Sequence, residues 1–328
     1  MVFWKTYPFY NIVQTKLNTQ KFKSLLFERS PVESPTGTEA VVIKSDNTKV
    51  IIEVCAFLRN NFGDPPNTPI LDIPEDQLLK DADYLMVLRD TDKNMVGCIR
   101  YHYIGKFTTA EGQEMYCEDC FCIHKKWRGR GVGDYLLTQL HIFVNGNNIS
   151  PYSLFLKEGH SLSVVHSPIY SGVYVYRELT PNAKSDNVKS LMVDQAYRVM
   201  DMFREINRGM FIVRNVNTTN QIWKLWKKGT YKVLACFQDA YQRFEKNGKT
   251  NKIGWITGWI ESPNMTDKYR EEASKELSDS MCPQFNYIWA NMEWIGGSDD
   301  WTVDGSFHWY SYQWSTCVSI KKSYCILN

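Results

Sequence analysis

The sequence has little of what marks membrane, secreted or nucleic-acid-binding proteins. Its 328 residues carry 38 Lys and Arg against 36 Asp and Glu, a net charge of only +2, so no strong basic field points to nucleic acid. No charge-free apolar stretch is long enough to span a bilayer. Residues 1–8 lack the apolar run of a signal peptide. We therefore expect a cytoplasmic protein that has no integral membrane segment and binds no nucleic acid.

Signals for disulfides and metal sites are also weak. Nine cysteines are an odd number, and without a secretory segment they favour reduced thiols. Cys117, Cys120, Cys122 and His124 suggest a zinc site, but neighbours on one face of a strand lie about 6.7 Å apart. That spacing is too wide for sulfurs that share one tetrahedral ion. We predict no metal, and we disfavour a Cys–His nucleophile because no third, orienting group is apparent.

The sequence does contain enough apolar residues for a large core, since 43% are hydrophobic and 14% aromatic. Residues 15–47 are polar and predict an irregular arm. In the rest of the chain, helical spacing of the apolar residues predicts helices, and alternating spacing predicts strands. The predicted helices cover residues 50–58, 136–144, 191–206 and 267–281, and the predicted strands cover residues 84–88, 95–103, 115–124, 152–156, 173–176, 233–237, 253–260, 285–292 and 306–314. This mixture predicts an α/β fold.

The segment with the most specific chemistry is Arg128-Gly-Arg-Gly-Val-Gly133, which follows a predicted strand and precedes a predicted helix. Its glycines let the backbone turn tightly and direct successive N–H groups at one point. The helix N-terminus adds partial positive charge, and the segment also carries several basic side chains. The spacing is neither a dinucleotide fingerprint nor a Walker P-loop, but it resembles the pyrophosphate loop of GNAT-superfamily N-acyltransferases. The alternative interpretation is an ordinary glycine-rich turn with solvated basic residues.

The segment Cys120-Phe-Cys-Ile-His-Lys-Lys-Trp-Arg128 resembles the Phe-Leu-Cys-Val-His-Lys-Lys-Leu-Arg signature of eukaryotic N-myristoyltransferases. Four other segments resemble this family in the same order, and together the five span nearly the whole chain. They are Phe3–Pro8, Pro168–Pro181, Phe285-Asn286 and Asp304–Trp314. The resemblance implies two fused GNAT-like acyltransferase halves, residues 1–181 and 182–328, each a mostly antiparallel sheet flanked by helices.

The resemblance further implies a monomeric enzyme of lipoprotein biosynthesis. It would move a fatty acyl group, myristoyl in the family, from acyl-CoA to the N-terminal glycine of a peptide. The first half would bind acyl-CoA, with no metal or other cofactor, and the second half would bind the peptide. The implied acyl-CoA residues are Val2, Phe3, Trp4, Cys120, Phe121, Cys122, Ile123, Arg128, Gly129, Arg130, Gly131, Val132 and Gly133. The implied peptide residues are Phe62, Tyr174, Tyr176, Asn286, Asp304 and Gly305.

Acyl transfer from a thioester to an amine needs a base and stabilisation of the oxyanion. In the family the base is the terminal carboxylate of the chain, here that of Asn328. The oxyanion would bind the backbone N–H groups of Cys120 and Phe121, at a break in the strand. Because an N-terminal amine has a pKa of about 8, a weak but well-placed base suffices. The apolar character of residues 324–327 predicts that the C-terminal segment is buried.

The sequence also departs from the family. The second half is shorter, which suits a divergent, viral version, and Val175-Tyr176, Trp289 and Phe62 replace Trp-His, an Asp and a Tyr. Two alternatives therefore stay open: a GNAT-type acetyltransferase that acts on another amine, and a non-catalytic acyl-CoA- or lipopeptide-binding protein. Cys325-Ile-Leu-Asn328 also resembles a prenylation box, and prenylation would remove the carboxylate proposed as base.

Overall fold

Apolar residues on both faces define the first strands of the fold. The consecutive residues Leu85, Met86, Val87 and Leu88 are all buried, because helices cover the sheet on its two sides. Met86 and Leu88 belong to the core shared with the helix at residues 132–146, whereas Leu85 and Val87 belong to the core shared with the helix at residues 48–61. The predicted α/β class follows from this layering.

The computed structural model describes residues 23–24, 33–35, 37–63, 69–107, 114–162, 168–181, 185–206, 211–214, 220–312, 314–315 and 324–326. The strands are β1 (Lys23–Ser24), β2 (Glu39–Ile43), β3 (Ile70–Leu71), β4 (Tyr84–Arg89), β5 (Met95–Phe107), β6 (Glu114–Ile123), β7 (Ser153–Glu158), β8 (Tyr170–Glu178), β9 (Val188–Leu191), β10 (Phe211–Arg214), β11 (Ile222–Lys228), β12 (Tyr231–Lys246), β13 (Lys249–Glu261), β14 (Tyr287–Asn291), β15 (Thr302–Tyr312), β16 (Trp314–Ser315) and β17 (Tyr324–Ile326). The helices are α1 (Thr48–Asn61), α2 (Glu75–Leu78), α3 (Val132–Gly146), α4 (Val193–Ile206) and α5 (Asp267–Asp279). None of the helices so described is long and apolar enough to cross a membrane.

The same arrangement of elements occurs twice in the chain. In β4–β5–β6–α3–β7, three strands pair antiparallel in sequence order and the strand after the helix pairs parallel with the strand before it. In β11–β12–β13–α5–β14 the same pattern recurs. The prediction of a mixed α/β fold built from two mostly antiparallel halves is thereby confirmed.

The two units exchange strands and form one continuous sheet. β8, from the first unit, pairs with β14, and β15, from the second, pairs with β7 and also with β8. At the other side of the first unit, β10 pairs with β5 and β17, and β17 pairs with β13. The result is a 15-stranded sheet. The division between residues 181 and 182 falls between β8 and β9 and stays a prediction.

In both units the parallel strands separate along their length. β6 and β7 pair from Tyr116–Ser153 to Glu118–Phe155, and β6 then continues to Ile123 and β7 to Glu158. In the second unit β14 pairs with β13 only at residues 253–255, and β17 occupies the same edge of β13 at residues 258 and 259. A strand of the chain therefore fills the second gap, whereas among the described residues no strand enters the first.

Helix α3 follows the predicted pattern of apolar residues. Leu136, Leu137, Leu140 and Val144 are all buried against the sheet, and burying each such side chain stabilises the fold by roughly 1.5–3 kcal/mol. The helix ends at Gly146, and Asn147 is its C-cap.

One local prediction was wrong. Residues 39–43, expected within an irregular arm, form β2 and pair with β4. The alternating exposure of β2 is typical of an outer strand. Its own sequence only weakly favours a strand, and pairing with the apolar strand β4 decides its conformation. Thr266 is the N-cap residue of α5, and its side chain makes no capping hydrogen bond.

A carboxyl group lies in the core at the point where β6 and β7 last pair. Glu118 is 3% exposed; Ser153 Oγ donates to its Oε1 at 2.6 Å, and Oε2 has no hydrogen-bond partner among the described residues. Burial raises the pKa of Glu118 from its usual 4.5 to about 8. Because the folded pKa lies above the unfolded pKa, ionisation of this carboxyl destabilises the folded state increasingly as pH rises from about 5 to 9.

We predict that Glu118→Gln, which keeps the shape of the side chain and cannot ionise, is more stable than the native protein at pH 9. The expected gain is on the order of 2–4 kcal/mol, and it should nearly vanish at pH 5. Urea unfolding at both pH values measures the difference, with the exposed Glu33 replaced by Gln as control. An equal effect of Glu118→Gln at the two pH values would contradict the prediction.

Candidate functional site

The gap between β6 and β7 opens into a cavity of about 200 Å³, here called the inner cavity. Both units contribute to its walls. The lining residues from the strands of the first unit and β8 are Arg100, His102, Asp119, Cys120, Leu156, Glu158 and Tyr174, and those from the second unit include Gln238–Gln242, Trp255 and Trp289.

A much larger cavity of about 1320 Å³, the outer cavity, adjoins the inner one. The two share Phe62, Glu158, Gln242 and Trp289 as lining residues. A ligand in the outer cavity could therefore extend one end into the inner cavity.

The backbone is irregular where β6 borders the inner cavity. Cys98 pairs with Cys122 and Arg100 with Asp119, so two steps along β5 match three steps along β6. Cys120 has a φ of +50°, and Cys98 Sγ donates to its carbonyl at 3.4 Å. The extra residue of such a bulge is left out of the strand ladder. The structure thus has a strand break at the position that the family resemblance implied.

A second irregular strand faces the same cavity from the other unit. The register of β12 and β13 shifts between Asp239 and Arg243, and Tyr241 within this shift has a φ of +53°. Of the five non-glycine residues with positive φ in the described ranges, three lie outside the strands. The other two, Cys120 and Tyr241, both line the inner cavity. Strained backbone of this kind collects at functional sites.

Ion pairs fix two of the carboxylates in the inner cavity. Arg100 donates to both oxygens of Asp119, at 2.7 and 2.6 Å, and to the Leu78 carbonyl at 2.7 Å. Arg243 donates to both oxygens of Asp239, at 2.8 and 2.7 Å. Such bidentate pairs hold their side chains rigidly, so the walls of the cavity are preorganised.

An aspartate and a histidine also meet at this cavity. Asp83 Oδ1 lies 2.9 Å from His102 Nδ1 and accepts from the Tyr103 N–H at 2.8 Å. Asp83 Oδ2 accepts from the Lys80 N–H at 2.9 Å. Burial acts to raise the pKa of Asp83, but His102, Arg100 and the Lys80 N–H together lower it below its usual value. The carboxyl is therefore an anion in the folded protein.

The structure brings four of the six predicted peptide residues to the cavities. Phe62 lines both cavities, Tyr174 lines the inner one, and Tyr176 and Asp304 line the outer one. Tyr174 is held by stacking on Phe307 at a ring-centre distance of 4.1 Å.

The other two peptide residues lie outside both cavity linings. Asn286 Oδ1 accepts from the Lys252 N–H, and the Asn286 carbonyl accepts from the Leu179 N–H. It therefore connects β13 to the chain after β8. Gly305 lies opposite Tyr174 at an irregularity in the pairing of β15 with β8.

The glycine-rich segment forms the entry to α3, as predicted. Gly129 and Gly131 have φ values of +75° and +78°, which favour glycine. The Tyr135 N–H donates to the Gly131 carbonyl at 3.0 Å. The N–H groups of residues 132–134 therefore lie in the first turn of α3, before this hydrogen bond. Such leading N–H groups have no acceptor within their helix, and together they form an anion site with partial positive charge.

The basic side chains of this segment have different contacts. Arg128 donates to the Ile123 carbonyl at 3.0 Å and to the Asn61 carbonyl at 2.8 Å, which fastens the segment to the end of α1. Arg130 lies 5.7 Å from the ring centre of Trp127, a cation–π distance. Both arginines are exposed, so their charges remain available to a solvent-facing anion.

The remaining predicted acyl-CoA residues of β6 pack into the two cores. Phe121 and Ile123 pack against the α3 core, and Cys122 is buried in the α1 core. Burial raises the pKa of the Cys122 thiol to about 12 and that of Cys120 well above its usual value. A thiolate nucleophile is disfavoured at these positions. Val2, Phe3, Trp4 and Asn328 lie outside the described residues.

Within the described ranges, no group of three or more His, Cys, Asp or Glu side chains is placed to hold a metal ion. Cys117, Cys120 and Cys122 are free, buried thiols.

Comparison with known proteins agrees with this geometry. Residues 51–153, from α1 to the start of β7, match the acetyltransferase (GNAT) family. A structure of Saccharomyces cerevisiae N-myristoyltransferase with bound myristoyl-CoA is 13% identical, with a TM-score of 0.71 over 97% of this chain and 89% of that chain. Another structure of the yeast enzyme, with myristoyl-CoA and inhibitors, is 12% identical, with a TM-score of 0.68 over 99% and 91%. Comparison with curated proteins finds no match.

The chain therefore carries a GNAT acyltransferase domain in its first unit. At 12–13% identity the likeness to the solved structures establishes the fold, and that fold is the tandem arrangement of N-myristoyltransferase. The fold and the acyltransferase class inferred from the sequence are confirmed.

The sequence reasoning missed Arg100, His102, Asp119 and Asp83. A usable signal was present, since Arg100 and His102 interrupt an otherwise apolar strand on one face. The predicted hairpin between residues 84–88 and 95–103 pairs Tyr84 with Tyr101, which places residue 83 opposite residue 102.

Proposed function

We propose that the protein is a glycylpeptide N-acyltransferase that moves a fatty acyl group, myristoyl above others, from acyl-CoA to the N-terminal glycine of a peptide. The observation that carries the proposal is the gap between β6 and β7. It begins at a bulged backbone segment of β6 and opens into cavities built by both units. Along the chain, β6 leads into the glycine-rich entry to α3.

The pyrophosphate of acyl-CoA would bind at residues 128–133. The leading N–H groups of α3 and the exposed Arg128 and Arg130 suit a dianionic group there. The acyl thioester would then follow β6 toward Cys120. Backbone N–H groups of Cys120 and Phe121 would receive the oxyanion at the bulge, where losing one such donor typically costs about 10²–10³ in rate.

The peptide would occupy the outer cavity and extend its N-terminus into the inner one. Phe62, Tyr176 and Trp289 supply apolar and aromatic surface. Glu158 and Asp304 both supply carboxyl groups to the outer cavity. Loss of water, and second the nearby Asp304, raise the pKa of Glu158. The side chain of Glu158 still contacts solvent. Two neighbouring carboxyl groups favour a cationic ligand, such as a peptide ammonium or a basic side chain.

The base would be the Asn328 carboxylate. β17 runs antiparallel to β13, from Tyr324 opposite Trp259 to Cys325 opposite Gly258. Its direction is toward Trp255, which lines the inner cavity. This direction supports delivery of a C-terminal carboxylate to the substrate amine, directly or through a relay.

Mass spectrometry of a Gly-initiated peptide incubated with the protein and acetyl-, lauroyl- or myristoyl-CoA tests the function. We expect N-terminal acylation with the long-chain donors, and no transfer to the same peptide with a blocked N-terminus. Transfer of acetyl groups alone would indicate a GNAT-type acetyltransferase. Binding of acyl-CoA without transfer to any peptide would indicate a non-catalytic protein.

We predict that Gly131→Asp weakens CoA binding by well over tenfold, because it places a carboxylate at the N-terminus of α3. Calorimetry with CoA measures the loss. Gly248→Asp is a matched control: Gly248 has a φ of +70°, and at both positions an added Cβ meets nothing within 4 Å. Equal CoA affinities of the two variants would contradict the assignment.

We predict that replacing the Asn328 carboxylate by an amide, introduced by peptide ligation, lowers turnover of a Gly peptide at least a hundredfold. General-base catalysis contributes about 10²–10⁴ in rate, and amidation removes the charge while adding almost no bulk. The CoA affinity should be unchanged, and protein ligated with the ordinary carboxylate serves as control. Native turnover by the amidated protein would exclude this carboxylate as the base.

A further inference from the structure

We propose that Arg100 is a positioning residue for acyl transfer: through Asp119 it holds the strained backbone that carries the two oxyanion donors. This inference rests on the proposed function, because the N–H groups of Cys120 and Phe121 are the donors assigned there. The effect of Arg100 on the reaction is indirect, since it fixes the direction of two backbone N–H groups on β6.

The two proposed donors belong to the peptide groups on either side of the Cys120 Cα atom. In an extended strand successive N–H groups point to opposite edges of the strand, so they cannot reach one oxygen atom together. Cys120 has a φ of +50°, which turns one of these peptide groups relative to the other. Left-handed residues within other backbone conformations can bring successive N–H groups together as an anion site. The positive φ of Cys120 is therefore the feature that an oxyanion site needs.

This conformation needs support, because a non-glycine residue with positive φ is strained. The strand ladder does not supply it: β5 and β6 pair at Cys98–Cys122 and at Arg100–Asp119, and Cys120 lies in the bulge between these pairs. Side chains hold the bulge instead. Cys98 Sγ donates to the Cys120 carbonyl at 3.4 Å, and Arg100 binds the carboxylate of Asp119, the residue before Cys120.

Arg100 is anchored to a third element besides β5 and β6. Its Nε and Nη2 donate to the two carboxylate oxygens of Asp119 at 2.7 and 2.6 Å, and its Nη1 donates at 2.7 Å to the carbonyl of Leu78, the last residue of α2. The guanidinium is planar and rigid, so it fixes Asp119 relative to both β5 and α2. The side chain of Arg100 is only 9% exposed, and solvent therefore competes little for these hydrogen bonds.

The opposite wall of the inner cavity repeats this combination of strain and ion pair. Tyr241, the other strained strand residue at the cavity, has Asp239 two residues before it and Arg243 two residues after it. Arg243 donates to both oxygens of Asp239, and Asp239 Oδ1 accepts from the Tyr241 N–H at 2.7 Å. In the part of the chain that the structure describes, both non-glycine strand residues with positive φ thus lie beside a bidentate Arg–Asp pair.

Direction, more than stability, is what such a pair contributes. A buried ion pair often adds little to the stability of a fold compared with apolar side chains of similar volume. A bidentate contact does restrict its two partners to a narrow range of geometries. Arg100 and Asp119 line the inner cavity, where direction decides whether two donors meet one oxygen. The role of the pair is therefore to preorganise the oxyanion site.

The test measures kcat, KM for a Gly peptide and affinity for myristoyl-CoA in Arg100→Gln and in a matched control, Arg270→Gln. Arg270 donates to both oxygens of Glu261 and its side chain is 13% exposed, but neither residue is among those that line the two cavities. We expect kcat of Arg100→Gln to fall about a hundredfold, the loss that a misplacement of about 1 Å can cause, with KM and acyl-CoA affinity unchanged. Arg270→Gln should keep the native kcat.

Two further variants separate direction from charge. Arg100→Lys keeps the positive charge but has no fork for two oxygens, so its kcat should be close to that of Arg100→Gln. Asp119→Asn keeps the shape of the partner and loses its charge, so kcat should fall with KM unchanged. Because Arg100 acts through Asp119, the double variant Arg100→Gln, Asp119→Asn should be no slower than Arg100→Gln alone.

The proposal would be overturned by a native kcat in Arg100→Gln or Arg100→Lys, by an equal loss of kcat in Arg270→Gln, or by losses that multiply in the double variant. Each of these outcomes would leave the acyltransferase function intact. If Arg100→Gln does not fold, Asp119→Asn decides, and a native kcat in that variant overturns the proposal. A native protein that acylates no Gly peptide would overturn the proposed function as well.

Discussion

The site depends on one constraint: two parallel strands can stay hydrogen-bonded only while their backbones keep a common register. β6 and β7 leave that register after Glu118 and Phe155, and the space between them becomes the inner cavity. Peptide groups at such a gap must find other partners, because an unpaired buried donor or acceptor is costly. A gap between strands is therefore a natural place for a ligand that brings its own polar atoms.

The walls of this gap show how the protein tolerates charge in a partly buried place. Arg100 and Arg243 each hold a carboxylate in bidentate contact, which compensates for the loss of water around both partners. Glu118 has no such counter-ion and lies one residue from Asp119, so it favours its neutral form. The ion pairs Arg100–Asp119 and Arg243–Asp239 thus place charged groups at the cavity, where a polar ligand could use them.

Much of this architecture follows from local sequence. α1, α3 and the strands β4 to β6 lie within a few residues of their predicted bounds, because their apolar spacing is regular and their partners are close in the chain. The glycine-rich entry to α3 and the strand break at Cys120 also follow from motifs. The exchange of β8 and β15 could not be predicted in this way, because no local pattern records which distant strand lies alongside. The Asp83–His102 contact could be predicted only in part, since it depends on the register of the hairpin formed by β4 and β5.

The placement of β17 has a consequence for how the molecule is made. β5 pairs with β10 and β10 with β17, so three strands near residues 107, 213 and 326 must meet before the middle of the sheet is complete. Contacts between such distant residues slow folding, and strands that wait for partners expose unpaired edges. During synthesis β10 and β13 would lack their partner β17, and the sheet would be completed only after residue 326 had left the ribosome. We expect chaperone binding to matter most in that interval.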